Sequence, residues 1–289
     1  MERRDGPDEE PGGTAHPDRR RALAAIGGAG LAGLAAVAAA CSPGTDDASP
    51  TTTAGGASIS STASSTTTTA GGSGTTAAGA SCTEIPDETN GPYPADGSNG
   101  KQILTEEGVV RSDIRSSFGS ASGTATGIPL TIHLDVTDTA AGCEPMAGAA
   151  VYVWHCDAEG RYSMYSSGVT GENWLRGVQV AGDDGRVTFT SIVPGCYPGR
   201  WPHVHFEVYP DAASITSLRN NEKISQLAFP RSMLSTAYAT TGYGSSARNL
   251  DSVSLEGDNV FGDDDGVHQV ATMTGDPASG YVATLAVPV

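Results

Sequence analysis

The sequence predicts an all-β protein, built as an antiparallel β-sandwich with long loops that carry the functional site. Apolar and polar residues alternate in several segments, which is the pattern of half-buried strands. Gly, Asp and Pro residues separate these segments, and no stretch has convincing amphipathic helical periodicity. The predicted strands are 130–136, 150–154, 185–189, 203–209 and 281–287, with short helical turns near 212–219 and 232–237.

Residues 1–41 predict an export signal. Arg19, Arg20 and Arg21 precede a run of Ala, Gly, Leu, Ile and Val at 22–40. A basic segment before a short, weakly hydrophobic one is typical of secretory signals, and adjacent arginines resemble the twin-arginine type. A transmembrane anchor is the alternative, although the run is poor in large apolar residues.

Cys41 follows the alanines that end this run. Small residues before such a cysteine resemble a bacterial lipobox, in which the cysteine is lipidated; ordinary signal cleavage in the same alanine tract is the alternative. Either outcome places the protein outside the cytoplasm, extracellular or at the cell surface. A lipid on Cys41 is the membrane contact that we expect.

Residues 42–80 are almost wholly Ser, Thr, Gly and Ala, with too little apolar surface to fold. We therefore predict a disordered linker at 42–80 and one β-sandwich domain at 81–289. The net charge is −17, which argues against nucleic acid as a partner because phosphate binding needs clustered Lys and Arg. Nothing in the sequence fixes the oligomeric state.

The predicted domain contains Cys82, Cys143, Cys156 and Cys196. An even number of cysteines in an exported domain suggests two disulfides, with three pairings open. A bridge between Cys156 and Cys196 would brace the loops that carry two tyrosines of interest.

His203 and His205 are the starting point of the functional prediction. Side chains two residues apart in a strand point to the same face, so the two imidazoles project together. An isolated pair of this kind is more often structural. Here Tyr197 precedes the pair in a Pro/Gly-rich turn, and Tyr162 follows strand 150–154, so both tyrosines lie on loops at one end of the sandwich.

Two phenols and two imidazoles suit ferric iron. A phenol must lose its proton (pKa about 10) to act as a ligand, and a trivalent ion drives that loss where zinc or copper would more usually take His, Cys or carboxylate. Two phenolates and a hydroxide balance the three charges of Fe(III). We predict one Fe(III) per chain.

The sequence also resembles the intradiol ring-cleavage dioxygenases, the family of catechol 1,2-dioxygenase and protocatechuate 3,4-dioxygenase, in its secreted bacterial branch. Six segments between 86 and 230 carry the resemblance in the family's order: Asn-Gly-Pro-Tyr-Pro at 90–94, Asp-Ile-Arg at 113–115, the segment 153–162, Pro-Gly-Cys-Tyr-Pro at 194–198, Arg-Trp-Pro-His-Val-His-Phe at 200–206, and Gln-Leu-Ala-Phe-Pro at 226–230.

This resemblance implies Fe(III) ligation by four residues, namely Tyr162, Tyr197, His203 and His205. It implies cleavage of catechols by O2 between the two hydroxyls, giving cis,cis-muconate-type diacids, with Tyr197 as the ligand that substrate displaces. Arg200 would stabilise developing negative charge and Gln226 would lie near the O2 region. Tyr93 would stand at the pocket mouth.

The sequence departs from the family pattern in Trp201-Pro202, where Pro-Ala is commoner. We expect the Trp201 indole to narrow the pocket or to offer a stacking surface. Two alternatives remain: a non-catalytic surface module that binds glycans or aromatic polymers, and a copper or zinc enzyme that uses the histidines alone.

Overall fold

Two β-sheets form the framework of residues 82–289, which is the part of the chain that the computed structural model describes. The predicted export signal, Cys41 and the linker at 42–80 lie outside the described residues, so they stay predictions. No helix among residues 82–289 has the length and apolarity needed to cross a membrane.

The nine strands are β1 (Pro129–Asp138), β2 (Glu144–Pro145), β3 (Ala150–Trp154), β4 (Arg176–Val180), β5 (Arg186–Ile192), β6 (His203–Tyr209), β7 (Lys223–Ala228), β8 (Thr272–Asp276) and β9 (Gly280–Pro288). Two helices, α1 (Arg231–Tyr238) and α2 (Ser246–Leu250), follow β7. Two 3₁₀ turns, Ser214–Thr216 and Leu218–Asn220, separate β6 from β7.

One sheet has the order β4-β3-β6-β7 and is antiparallel throughout. In the other, β1 pairs with β9, which pairs with β8, while β2 and β5 pair with β1. The β1–β9 pair is parallel, so this sheet is mixed rather than purely antiparallel. The predicted all-β class is confirmed, and the predicted antiparallel pairing holds for the other pairs of these strands.

The core lies between the two sheets. Strand β1 buries Leu130, Ile132 and Leu134 on one face, as alternation predicts, and β6 contributes Val204 and Phe206 from the opposing sheet. The odd-numbered residues of β6 therefore face away from this core, onto the outer face of the four-stranded sheet.

That outer face is also buried, because the N-terminal segment 82–110 crosses it. The backbone of Ile85 bonds to β9 and that of Glu88 bonds to β7, and Ile103 and Leu104 then pack with Trp154. The functional residues of β6 thus lie beneath a covering segment instead of in solvent.

Candidate metal centre

Strand β6 places His203 and His205 side by side on the covered face, and both are nearly fully buried. In the strand register His205 lies opposite Trp154. The His205 and Trp154 rings are almost parallel, at 3°, with centroids 4.8 Å apart. Packing therefore fixes the plane of one imidazole.

Two connections bring the tyrosines to the same place. Tyr162 lies in the connection from β3 to β4, and Tyr197 lies in the connection from β5 to β6. The two loops touch where Gly160, with φ +83°, faces Tyr197; a Cβ on Gly160 would lie 3.0 Å from the Tyr197 Cβ. Glycine at 160 therefore permits both the left-handed turn and the close approach.

Four electronegative atoms converge between these loops and β6. His203 Nε2 lies 3.3 Å from each of the Tyr162 and Tyr197 hydroxyl oxygens and 3.1 Å from His205 Nε2. The two hydroxyl oxygens are 3.5 Å apart. The four residues proposed as ligands from the sequence are thus brought together by the fold.

The tautomer of His203 follows from its other ring nitrogen. His203 Nδ1 donates to the Trp201 carbonyl, which leaves a lone pair on Nε2 directed into the cluster. His205 differs: its Nδ1 is buried and, among the described residues, has no hydrogen-bond partner. Contact with Trp154 and with Gly91, whose added Cβ would lie 3.2 Å from His205 Cε1, holds this ring instead.

Burial favours the neutral forms of the two tyrosine phenols and the two histidine imidazoles. It raises the pKa of Tyr162 well above its ordinary value and that of Tyr197 to about 12. It lowers the pKa of His203 to about 3, helped by the charge of Arg200, and that of His205 well below its ordinary value.

Converging lone pairs on two neutral imidazoles and two phenols fit a cation. The cluster contains only two side chains of the His, Cys, Asp and Glu types, and residues 82–289 contain no group of three or more of those types suited to a metal ion. The oxygen donors of this cluster are tyrosines, which suits a hard, highly charged ion.

Arg200 and Gln226 lie next to the cluster and bond to each other. Arg200 Nη2 donates to Gln226 Oε1 at 2.8 Å, and Gln226 Nε2 donates to the Thr89 carbonyl at 2.9 Å. The bond to Thr89 fixes which end of the amide faces the arginine. Both residues are therefore held in defined orientations.

Asp258 is a site residue that sequence reasoning missed. Its side chain is fully buried, and Arg200 Nε donates to both carboxylate oxygens, at 3.0 and 3.3 Å. Burial alone would raise the pKa of Asp258, but hydrogen bonds from the Trp201 N–H and from Arg200 outweigh it and lower the pKa. Asp258 sits in a polar loop far along the chain, and no local pattern marks it.

Tyr93 stands at the edge of the cluster, 37% exposed, with its ring 5.0 Å from that of Tyr162 and 5.1 Å from that of Tyr165. The expectation that Trp201 offers a stacking surface was wrong. Its side chain belongs to the core, 2% exposed, and its indole N–H donates to the Phe229 carbonyl at 2.9 Å. No face of this indole is left for a substrate to stack on.

The expectation of two disulfides was also wrong. Cys82 and Cys143 are bonded, whereas Cys156 and Cys196 are buried free thiols. Each of these thiols contacts a backbone carbonyl, Cys156 that of Gly195 and Cys196 that of Arg200. The tyrosine loops are braced by backbone and side-chain hydrogen bonds, not by a second bridge.

Comparison with known proteins supports one family. The family model described as "Dioxygenase" matches residues 111–217, a range that includes Arg200 and all four residues of the cluster. The intradiol ring-cleavage dioxygenase structure from Tetranychus urticae is 27% identical, with a TM-score of 0.55, and the match covers 72% of this chain and 96% of that one.

Curated relatives match over shorter stretches. Hydroxyquinol 1,2-dioxygenase of Rhizobium sp. (strain MTP-10005) is 43% identical over 54 residues, 19% of this chain and 18% of that protein. Catechol 1,2-dioxygenase of Pseudomonas sp. (strain EST1001) is 35% identical over 71 residues, 25% of this chain and 22% of that protein. The matches thus span about a fifth of each relative's length.

Proposed function

We propose that the chain is an intradiol ring-cleavage dioxygenase, which cleaves a catechol-type ring between the two hydroxyl-bearing carbons. Both atoms of O2 would enter the product, a cis,cis-muconate-type diacid. The observation that carries this proposal is the convergence of two tyrosine hydroxyls and the His205 Nε2 atom around His203 Nε2. A sandwich that only binds glycans or aromatic polymers has no physical need for this set.

The cluster would hold one Fe(III) ion through Tyr162, Tyr197, His203 and His205. Such an ion, when bound, supplies positive charge that stabilises the anionic forms of phenols and catechols, whose electron-rich rings react with O2. Burial raises the pKa of both tyrosines, and a trivalent ion, as a strong Lewis acid, suits phenols that resist losing their protons.

The two tyrosines would have different roles. Tyr162 is 2% exposed, its backbone N–H donates to Ser166 Oγ, and Tyr93 packs on its ring, so it would stay in place. Tyr197 is partly exposed in a loop containing Gly195 and Gly199. Its hydroxyl would move out when catechol enters and would then hold a proton taken from the substrate.

Arg200 would stabilise negative charge on the reacting ring. A fixed cation in a site shielded from water stabilises such charge strongly because no solvent has to reorganise. Gln226 would orient Arg200 through its Oε1 atom and would border the space that O2 enters. The segment 82–110, which covers this face of the sheet, would keep bulk water out.

The substrate would be met outside the cell. Export, a flexible linker and lipidation of Cys41 are parts of this proposal that rest on the sequence alone. They favour plant- or lignin-derived catechols over an intermediate of central metabolism.

Iron content and the visible spectrum of the purified protein test the function. We expect about one iron per chain and a tyrosinate-to-iron band that shifts on anaerobic addition of catechol, followed by formation of muconate when air enters. Tyr162→Phe and Tyr197→Phe should each lose colour and iron. Full metal content in both variants would favour a copper or zinc site built on the histidines. A colourless protein that takes up no ferric ion would favour a binding module.

A further inference from the structure

Asp258 lies in the loop after α2, and its carboxylate binds both its own turn and the segment that precedes β6. Its Oδ2 accepts from the Trp201 N–H at 2.6 Å and from Arg200 Nε at 3.0 Å. Its Oδ1 accepts from the backbone N–H groups of Val260 at 2.9 Å and Phe261 at 3.3 Å. The buried Asp258 carboxylate thus stabilises its own turn. It also binds two consecutive residues of the β5–β6 connection, which carries Tyr197 and is called the ligand loop below.

The guanidinium of Arg200 is consequently held on two sides. Asp258 binds its Nε edge, and Gln226 accepts from Nη2. Among the described residues, Nη1 has no hydrogen-bond partner. A guanidinium has five N–H groups, so both N–H groups on Nη1 and one on Nη2 remain available to a ligand.

Arg200 and His203 have a common neighbour in Phe261. The Phe261 ring, from the same turn as Asp258, has its centroid 6.0 Å from the guanidinium carbon and 6.5 Å from the His203 ring. Arg200 and His203 therefore share one wall of the site. The Arg200 side chain is 15% exposed, so it borders an opening rather than lying sealed in the core.

We propose that Asp258 is the positioning residue for Arg200: it fixes the Nε edge of the guanidinium so that Nη1 faces the reacting aromatic ring. The inference rests on the proposed ring cleavage. Asp258 touches neither the ligand atoms nor the substrate and acts through Arg200. It also assigns a function to the C-terminal stretch after β7, where the loop 251–262 completes the site.

The first consequence concerns Asp258→Asn. The amide keeps an oxygen to accept from the Val260 and Phe261 N–H groups but removes the charge and an acceptor for Arg200 Nε. We expect the same iron content and visible band as the unaltered protein, since the four ligands are untouched. Turnover should fall about tenfold to a hundredfold, because small misplacement of a catalytic group has an effect of that size.

Asp258→Glu keeps the charge on a longer side chain and should recover part of the lost kcat. Glu256→Gln is the matched control, because Glu256 is an exposed carboxylate in the same loop and lies outside the site. We expect that variant to retain the turnover and catechol affinity of the unaltered protein.

A double-mutant cycle in the full-length, iron-loaded protein separates positioning from a merely structural role. Arg200→Ala should lower kcat about 10²- to 10³-fold, the usual effect of removing one charge-stabilising donor. If Asp258 acts through Arg200, Asp258→Asn should add nothing to Arg200→Ala, in kcat or in the affinity for catechol measured anaerobically.

The positioning role would be overturned if the losses of kcat in the two single variants multiplied in the double variant. An Asp258→Asn variant with full turnover would also overturn it. A variant that loses iron would overturn it too, because Asp258 would then support the fold of the ligand loop in general. Failure of the unaltered protein to cleave catechol would instead overturn the proposed function, and the inference with it.

Discussion

The two halves of the candidate centre are held in place by different forces. Tyr162 and His205 are held by packing, against Tyr93 on one side and against Trp154 and Gly91 on the other. We call these two residues the packed half.

His203 and Arg200 belong to the hydrogen-bonded half, which depends on polar contacts with the Trp201 carbonyl, Gln226 and Asp258. Packing fixes the plane of a ring but not which ring nitrogen carries the proton, whereas a hydrogen bond fixes both. A site that must keep one ligand rigid and also place a charged donor has use for both kinds of support.

The largest expected effect comes from removing a ligand of the packed half. His205→Ala deletes one of four donor atoms, and we expect iron affinity to fall at least a hundredfold, beyond the effect of outer-sphere changes. Metal analysis after dialysis measures this. His133→Ala is the control, since His133 lies on β1 and bonds to Thr188. Retained iron and normal turnover in His205→Ala would remove His205 from the ligand set.

A smaller effect should follow from crowding the same imidazole. Gly91→Ala places a methyl group 3.2 Å from His205 Cε1 at a position with φ +68°, so we expect about a tenfold loss of iron affinity. Gly100→Ala has the same type of strain, φ +88°, with nothing within 4 Å of the new methyl group. An equal loss of iron affinity in the two variants would show that backbone strain, and not the contact with His205, causes the loss.

Truncating the aromatic partner of Tyr162 should have a still smaller effect. An aromatic pair contributes about 0.5–1.5 kcal/mol, so Tyr93→Ala should weaken iron binding roughly 2- to 13-fold. Tyr93→Phe keeps the ring and should bind iron like the unaltered protein. A loss in Tyr93→Phe equal to that in Tyr93→Ala would mean that the hydroxyl, not ring packing, supports Tyr162.

The weakest expected effect is on the pH dependence of stability, through Glu88, whose carboxyl group feels the charge of Arg200 in the hydrogen-bonded half. Burial, with the negative charges of Asp263 and Asp264, raises the pKa of Glu88 to about 7, although Gln269 and Arg200 oppose the shift. The folded protein therefore binds this proton more tightly than the unfolded chain. Its contribution to stability is complete below about pH 4.5 and is lost as pH rises to about 7.

Glu88→Gln should flatten that part of the stability–pH curve, as measured by denaturant unfolding between pH 4.5 and 7.5, roughly the range over which Glu88 titrates. An unchanged slope would mean that Glu88 titrates normally in the folded protein.

The four residues of the cluster were largely predictable from the sequence. Alternation placed His203 and His205 on one face of a strand, and the order of short motifs identified Tyr162 and Tyr197. Such signals are local, because each residue is marked by its neighbours within a few positions. The predicted strands with regular alternation, such as β1 and β9, are confirmed.

The remaining features depend on distant parts of the chain. Strands β2, β4, β7 and β8 escaped prediction. Strand β2 has only two residues, and the other three carry Gly177, Ser225 or Gly275 where alternation would need a larger side chain. Parallel pairing of β1 with β9 and the Arg200–Asp258 pair join residues far apart in sequence. No periodicity encodes such contacts.

The bond between Cys82 and Cys143 has a mechanical consequence. It joins the first described residue to the connection between β1 and β2, and the residues between include Gly91 and Tyr93. Tension applied to the chain ahead of Cys82 would pass through the sulfur bridge into the edge of the sheet. The covering segment lies within the loop that this bridge closes, so such tension would bypass it and leave the site closed.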